Sequence, residues 1–123
     1  MWAVLTTDEF DQWFAALSSD ARVEVAAKIT MLSEFGPRLS RPHADTLNGS
    51  KHANMKELRV STKDQELRIA FAFEPQRSAV VLVGGDKSGV SQRQFYKRLI
   101  TKADKLYDAH LESIKTDRNG KPR

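Results

Sequence analysis

An α+β fold, with a small antiparallel β-sheet, an N-terminal helical hairpin before it and a long C-terminal helix after it, is what this chain of 123 residues predicts. Three observations carry that expectation. The stretch from Glu66 to Lys87, ELRIAFAFEPQRSAVVLVGGDK, holds two β-patterned runs around a proline-containing turn. Two short helical faces precede it, and one broad apolar stripe at helical spacing follows it.

Taken in order, Trp2 to Thr6 (WAVLT) has β-prone content, and Thr7 or Asp8 offers an oxygen to cap a helix. Phe10, Trp13, Phe14 and Leu17 then recur at i, i+3, i+4 and i+7. Ser18-Ser19 interrupts that face and can cap a second helix. Val25, Ala26, Ile29 and Leu32 repeat the spacing until Gly36-Pro37 ends it. Residues 38–54 read as a long functional loop carrying Arg38, Arg41, His43, Lys51 and His52, with turn signals at Arg41-Pro42 and Asn48-Gly49.

Met55 to Ser61 is the next strand, with Leu58 and Val60 toward the core and Glu57 and Arg59 on the other side. In the central hairpin, Leu67, Ile69, Phe71 and Phe73 alternate with Arg68, Ala70, Ala72 and Glu74, the pattern of a half-buried strand. Pro75 to Ser78 forms the turn, Ala79 to Val83 the second strand, and Gly84-Gly85 leave room for backbone or substrate to approach before Asp86 and Lys87. Ser91 can cap a final helix whose stripe is Phe95, Leu99, Ala103, Leu106 and Ile114, flanked by Tyr96, Ile100, Tyr107 and Leu111. That helix is expected to lie against an edge or end of the sheet. The chain divides into one domain over residues 1–115 and a basic flexible tail over 116–123.

With 40% hydrophobic residues the chain can bury a core without disulfides, and there is no Cys to form one, which fits a reducing, cytoplasmic setting. No segment approaches the roughly eighteen apolar residues of a membrane span, so no membrane partner is expected. The net charge of +4 is unevenly spread: residues 1–35 carry two basic and six acidic groups, 36–86 eight and six, and 87–123 ten and four. A C-terminal basic excess suits a polyanion, nucleic acid first, and equally suits a solvated helix face.

The chain resembles the RelE/ParE superfamily of toxins, and most closely its HigB-like, phage-derived branch of type II toxin–antitoxin systems. The resemblance rests on FDQWF, FGPRLSRPHADTLNGSKHANMKELRV, LRIAFAF, the GGDK strand end and FYKRLITKADKLYDAHL, in that order over nearly the full length. It implies a cytoplasmic toxin neutralised by a neighbouring helix-turn-helix antitoxin, and an endoribonuclease (mRNA interferase) that cuts messenger RNA on the ribosome without cofactor or metal. It also implies that Arg68 contacts phosphate, that Lys87 is the basic residue after the last strand, and that Tyr96 or Phe95 is an aromatic able to stack on a base.

The residues can be weighed beside that resemblance. RNA cleavage by the adjacent 2′-OH needs a proton acceptor, a proton donor and positive charge for the phosphorane. Arg59 and Arg68 on one sheet face, Lys87 at the strand end and Tyr96 on the final helix form the natural catalytic set. The general base stays open among Glu57, Lys56, His52 and Lys51. By alternation only one of Lys56 and Glu57 can face the site, and the RelE-type pattern of two lysines on that strand is absent. Lys51, His52, Phe95, Lys97 and Arg98 are candidates for RNA binding. His43, His52 and His110 lack a convincing ligand spacing for a metal. Strand arginines more commonly form surface ion pairs, here with Glu57, Glu66 or Glu74. A ParE-like inhibitor of DNA gyrase, or a non-catalytic nucleic-acid-binding or phage protein on the same scaffold, remains an alternative, while Arg68, Lys87 and Tyr96 together favour the ribonuclease.

Overall fold

The computed structural model describes the backbone of residues 1–118 and the side chains of residues 1–115. In chain order the elements are β1 (Ala3–Thr6), α1 (Asp8–Ala15), α2 (Ser19–Phe35), a 3-10 turn (Gly36–Arg38), β2 (Ala44–Thr46), β3 (Met55–Ser61), β4 (Glu66–Phe73), β5 (Ser78–Asp86) and α3 (Gln92–Arg118). The tail expected at residues 116–123 falls outside the described side chains, and α3 is described through Arg118.

Local chemistry sets the helix starts. Thr7 caps α1 by accepting from the Phe10 amide at 3.0 Å, and Ser18 caps α2 by accepting from the Ala21 amide at 3.2 Å. Each such cap is worth about 1 kcal/mol, because it satisfies an amide that the helix leaves without a partner. Ser91 does the same for α3, its hydroxyl accepting from the Gln94 amide at 3.2 Å. At the far end of α2, Gly36 takes φ +54°, a conformation that L side chains avoid.

Five strands form one sheet in the order β1-β5-β4-β3-β2. The inner pairs are antiparallel, and β1 joins β5 in parallel at the edge. The long loop expected after α2 therefore contains a strand, β2, which pairs with the first part of β3. Three residues carry too little periodicity to be read as a strand; its existence follows from the free edge that β3 offers.

Alternation along β4 assigns its two faces. Leu67, Ile69 and Phe71 join Leu58, Val60 and Val81 under Phe10, Val25 and Leu32 of the helical hairpin. Ala70 and Ala72 join Met55, Val80 and Leu82 under Phe95, Leu99, Ala103 and Tyr107 of α3. Strand β4 is thus buried on both faces, not half-buried as its alternation predicts, and α3 lies across the second face instead of at an edge or end. Ala70 and Ala72 have fully buried side chains so small that a helix can pack over them.

The glycine pair serves that packing too. A Cβ on Gly84 would come within 2.5 Å of the Trp13 ring, and one on Gly85 within 2.9 Å of the Phe95 ring. The space expected for substrate is filled by the protein's own aromatics, one from each side of the sheet.

Candidate functional site

Where α3 begins, the end of its sheet face formed by β3 and β4 carries charge instead of apolar side chains. Arg59 and Arg68 are direct cross-strand partners, and Glu57 sits two residues earlier on β3 opposite Ala70. All three point to the α3 side. The small Ala70 leaves room for Tyr96, in the second turn of α3, to reach across and donate its hydroxyl to Glu57 Oε1 at 2.8 Å. Burial, together with that carboxylate, raises the Tyr96 pKa above the ordinary phenol range, so the hydroxyl remains a donor at neutral pH.

Glu57 is the centre of this group. Its side chain is only 5% exposed, with Arg59 Nε 3.5 Å from Oε2 and Arg68 Nε 3.9 Å from Oε1. These separations give Coulombic attraction without good hydrogen bonds, and neither Nε has a hydrogen-bond partner. Arg68, with its side chain 7% exposed, spends one donor, Nη1, on the Leu67 carbonyl at 2.9 Å. Two guanidiniums around one carboxylate leave a net positive charge in a largely dry place. Orphaned buried donors cost free energy, and a second anion at this spot would recover it.

Lys87 follows β5 directly, and its amide donates to the Glu66 carbonyl at 2.9 Å. The β4–β5 register pairs Arg68 with Gly85, which places Lys87 two positions further along the same sheet face. The turn is held by Asp86, which accepts from the Glu66 amide at 3.2 Å, the Gln65 side-chain amide at 3.2 Å and the Ser88 amide at 2.9 Å. Burial works to raise the Asp86 pKa, but these bonds and one from the Ser88 hydroxyl outweigh it, and the pKa is lowered.

Of the other residues singled out above, Lys56 alternates onto the face of Leu58 and Val60, covered by α1 and α2, so Glu57 is the member of that pair facing the site. Lys51 and His52 belong to a different place. Both pair with Asp108 of α3, His52 Nε2 lying 2.8 Å from its carboxylate, and the Lys51 amide donates to Asp104 at 3.2 Å. Asp108 is twelve residues beyond Tyr96, about 18 Å along the helix. Phe95, expected to stack on a base, is 8% exposed and is a core residue against Gly85. Lys97 and Arg98 are exposed on the first turns of α3. Glu74, read as a possible partner of the strand arginines, pairs instead with His110. Among the described residues no cluster of His, Cys, Asp or Glu is arranged to hold a metal ion, and no helix is long and apolar enough to cross a membrane.

A groove adjoining the cluster was not foreseen. Arg59 and Arg68 line it from the sheet, Val60 and Ser61 from the end of β3, Pro42 from the preceding loop, and Glu24 and Lys28 from α2. A signal was present in the sequence: Ala21, Val25, Lys28 and Leu32 fall at i, i+4, i+7 and i+11, so Lys28 stands on the stripe that α2 turns to the core.

Residues 12–108 match the family described as Phage derived protein Gp49-like. The chain is 40% identical over 111 residues to HigB3, a candidate toxin of Mycobacterium tuberculosis, covering 90% of this chain and 95% of that protein. It is also 40% identical over 105 residues to HigB2, a candidate toxin of the same organism, covering 85% of this chain but spanning only 52% of the HigB2 length. Among solved structures, an arginine double mutant of the Escherichia coli toxin RelE in the free state superposes with a TM-score of 0.57 at 13% identity, covering 82% of this chain and 95% of that one. At that identity the likeness is one of fold.

Proposed function

Since the chain belongs to the Gp49-like family of phage-derived proteins, in its HigB-like branch with the RelE fold, we propose that it is the toxin of a two-component toxin–antitoxin pair and that it cleaves messenger RNA on the ribosome without a metal. The observation that carries the chemistry is the Arg59–Arg68 pair, whose two buried Nε atoms are unpartnered around a single carboxylate. Such a pair fits a phosphate, whose charge would complete the unfinished set of hydrogen bonds.

In this reading Glu57 accepts the proton of the ribose 2′-OH as that oxygen attacks the adjacent phosphorus. Arg68 and Arg59 hold the non-bridging oxygens and neutralise the charge that grows on them. Lys87 supplies a proton to the departing 5′-oxygen. Tyr96 keeps the carboxylate oriented through its 2.8 Å bond. The bond from phosphorus to the 5′-oxygen breaks as the 2′-oxygen bond forms, leaving a 2′,3′-cyclic phosphate and a 5′-hydroxyl. Exposed Lys97 and Arg98 add long-range attraction for the polyanion.

As its partner we propose a small helix-turn-helix antitoxin that covers the basic face or blocks docking to the ribosome. Inducing the chain alone and mapping RNA 5′ ends tests the reading, with loss of intact messages expected. Intact messages with collapsed DNA supercoiling would replace it with gyrase inhibition. Co-purification with the product of the adjacent reading frame tests the partner, and failure to bind at low salt, where attraction is least screened, would reject it.

A further inference from the structure

We infer that the groove at the edge of β3 is a second phosphate subsite, in which Lys28 holds the RNA phosphate neighbouring the one clamped by Arg59 and Arg68. This inference rests on the ribonuclease reading above and extends it to a residue on a different element. The groove has an open volume of about 330 Å³ and is continuous with the cluster, because Arg59 and Arg68 line it as well as flanking Glu57. The ladder between β2 and β3 ends at Leu58, and the Arg59 amide beyond it donates to the His43 carbonyl at 2.9 Å, so the groove passes the edge of β3 at Val60 and Ser61 on its way toward α2.

Two features point to an anion as the occupant. Arg68 is more than nine-tenths buried, yet its Nε has no hydrogen-bond partner, and the same is true of the buried Nε of Arg59. Lys28, on the opposite wall, has its ammonium 2.7 Å from His43 Nδ1. That contact positions the ammonium beside a ring nitrogen and not beside a carboxylate. Three cations thus line a groove in which, among the described residues, the one carboxylate of the wall is Glu24, one helical turn before Lys28. A single strand of nucleic acid, with a phosphate at every nucleotide, supplies negative charge at both ends of such a path.

Glu24 makes the inference testable in both directions. The probe is a short all-2′-deoxy oligouridylate, which has the phosphates but lacks the attacking hydroxyl, so binding is read without cleavage. Its affinity for the full chain is measured against salt concentration. Lys28→Gln is expected to weaken binding a few-fold and to reduce the slope of log affinity against log salt by roughly 0.7, the share of one single-strand phosphate contact. Lys28→Arg is expected to retain the slope. Glu24→Gln is expected to strengthen binding, since it removes the one negative wall. Thermal transitions check that each variant is folded.

Unchanged affinity and slope in Lys28→Gln, weaker binding in Glu24→Gln, or no binding by the parent chain would each overturn the subsite. The ribonuclease reading fails separately. A parent chain that binds the strand through Lys28 but leaves RNA uncut keeps the groove and removes the nuclease, whereas RNA cleavage that is indifferent to Lys28 does the opposite.

Discussion

Replacing Glu57 by Gln removes one charge while nearly preserving shape, and the amide can still accept from the Tyr96 hydroxyl. It leaves Arg59 and Arg68, direct cross-strand neighbours, without the carboxylate that lies 3.5 and 3.9 Å from their Nε atoms. Breaking a buried ion pair by removing one member costs about 3–5 kcal/mol. Here the Arg59 side chain is 30% exposed and neither separation is a good hydrogen bond, so solvent carries part of the loss. A destabilisation of about 1–2 kcal/mol is expected. For a domain of this size that lowers Tm by roughly 3–10 °C.

The same variant should also gain a response to anions. With the carboxylate gone, inorganic phosphate can sit between the guanidiniums, and at ten times its Kd it would restore about 1.4 kcal/mol. Thermal or urea unfolding in phosphate against chloride, at matched ionic strength, reads this directly, and Arg68→Ala in the Glu57→Gln background should abolish the difference. Cleavage by Glu57→Gln should fall by roughly 10²–10⁴, the usual worth of a general base. A variant as stable as the parent, indifferent to phosphate and equally active would refute the reasoning at each step. Lower stability with undiminished cleavage would leave Glu57 as a counter-ion only.

Arg68→Ala should lose roughly a hundredfold or more of cleavage rate in a folded protein, with Arg68→Lys restoring part of it, because an ammonium keeps the charge but not the planar two-point contact. Message cleavage after expression checks both. Arg68→Ala should also lower stability measurably, since a side chain 7% exposed is removed from beside Glu57. Asp86→Asn should flatten the acid limb of stability: the Asp86 pKa is lowered from 3.8, so its contribution is present above about pH 4 and is lost as pH falls through the folded value. Urea unfolding from pH 6 to about pH 3 reads this, and an unchanged acid limb would remove Asp86 as the anchor of the β5 end. Gly84→Ala should cost about 1–3 kcal/mol by driving a methyl into the Trp13 ring, 2.5 Å away, a loss that calorimetry would register.

Much of the fold was legible because its signals are local. Thr7, Ser18 and Ser91 cap the helices that their oxygens announce, and the two faces of β4 are the two halves of its alternation. What alternation could not say was that both halves are buried. Ala70 and Ala72 read as the weak side of a half-exposed strand, and only the arrival of α3 makes small size the requirement there.

The candidate site divides in the same way. Arg59, Arg68 and Glu57 share a face by period two, and that is readable from the chain. The reach of Tyr96 to Glu57, the capture of His52 by Asp108 and the seating of Phe95 against Gly85 each depend on where α3 crosses the sheet, which the local pattern of the chain does not state. Lys28 was hidden by its stripe: a lysine on an apolar face reads as an interruption until a groove opens beside it.

The chemistry of the cut ends tests the central claim most directly. Ribosomes translating a defined message are exposed to the purified chain, and the new RNA termini are identified. Metal-independent attack by the 2′-OH under Glu57 and Arg68 predicts 2′,3′-cyclic phosphate and 5′-hydroxyl ends, which disappear with Arg68→Ala. Messages that stay intact, or fragments carrying 5′-phosphate and 3′-hydroxyl ends, would contradict it.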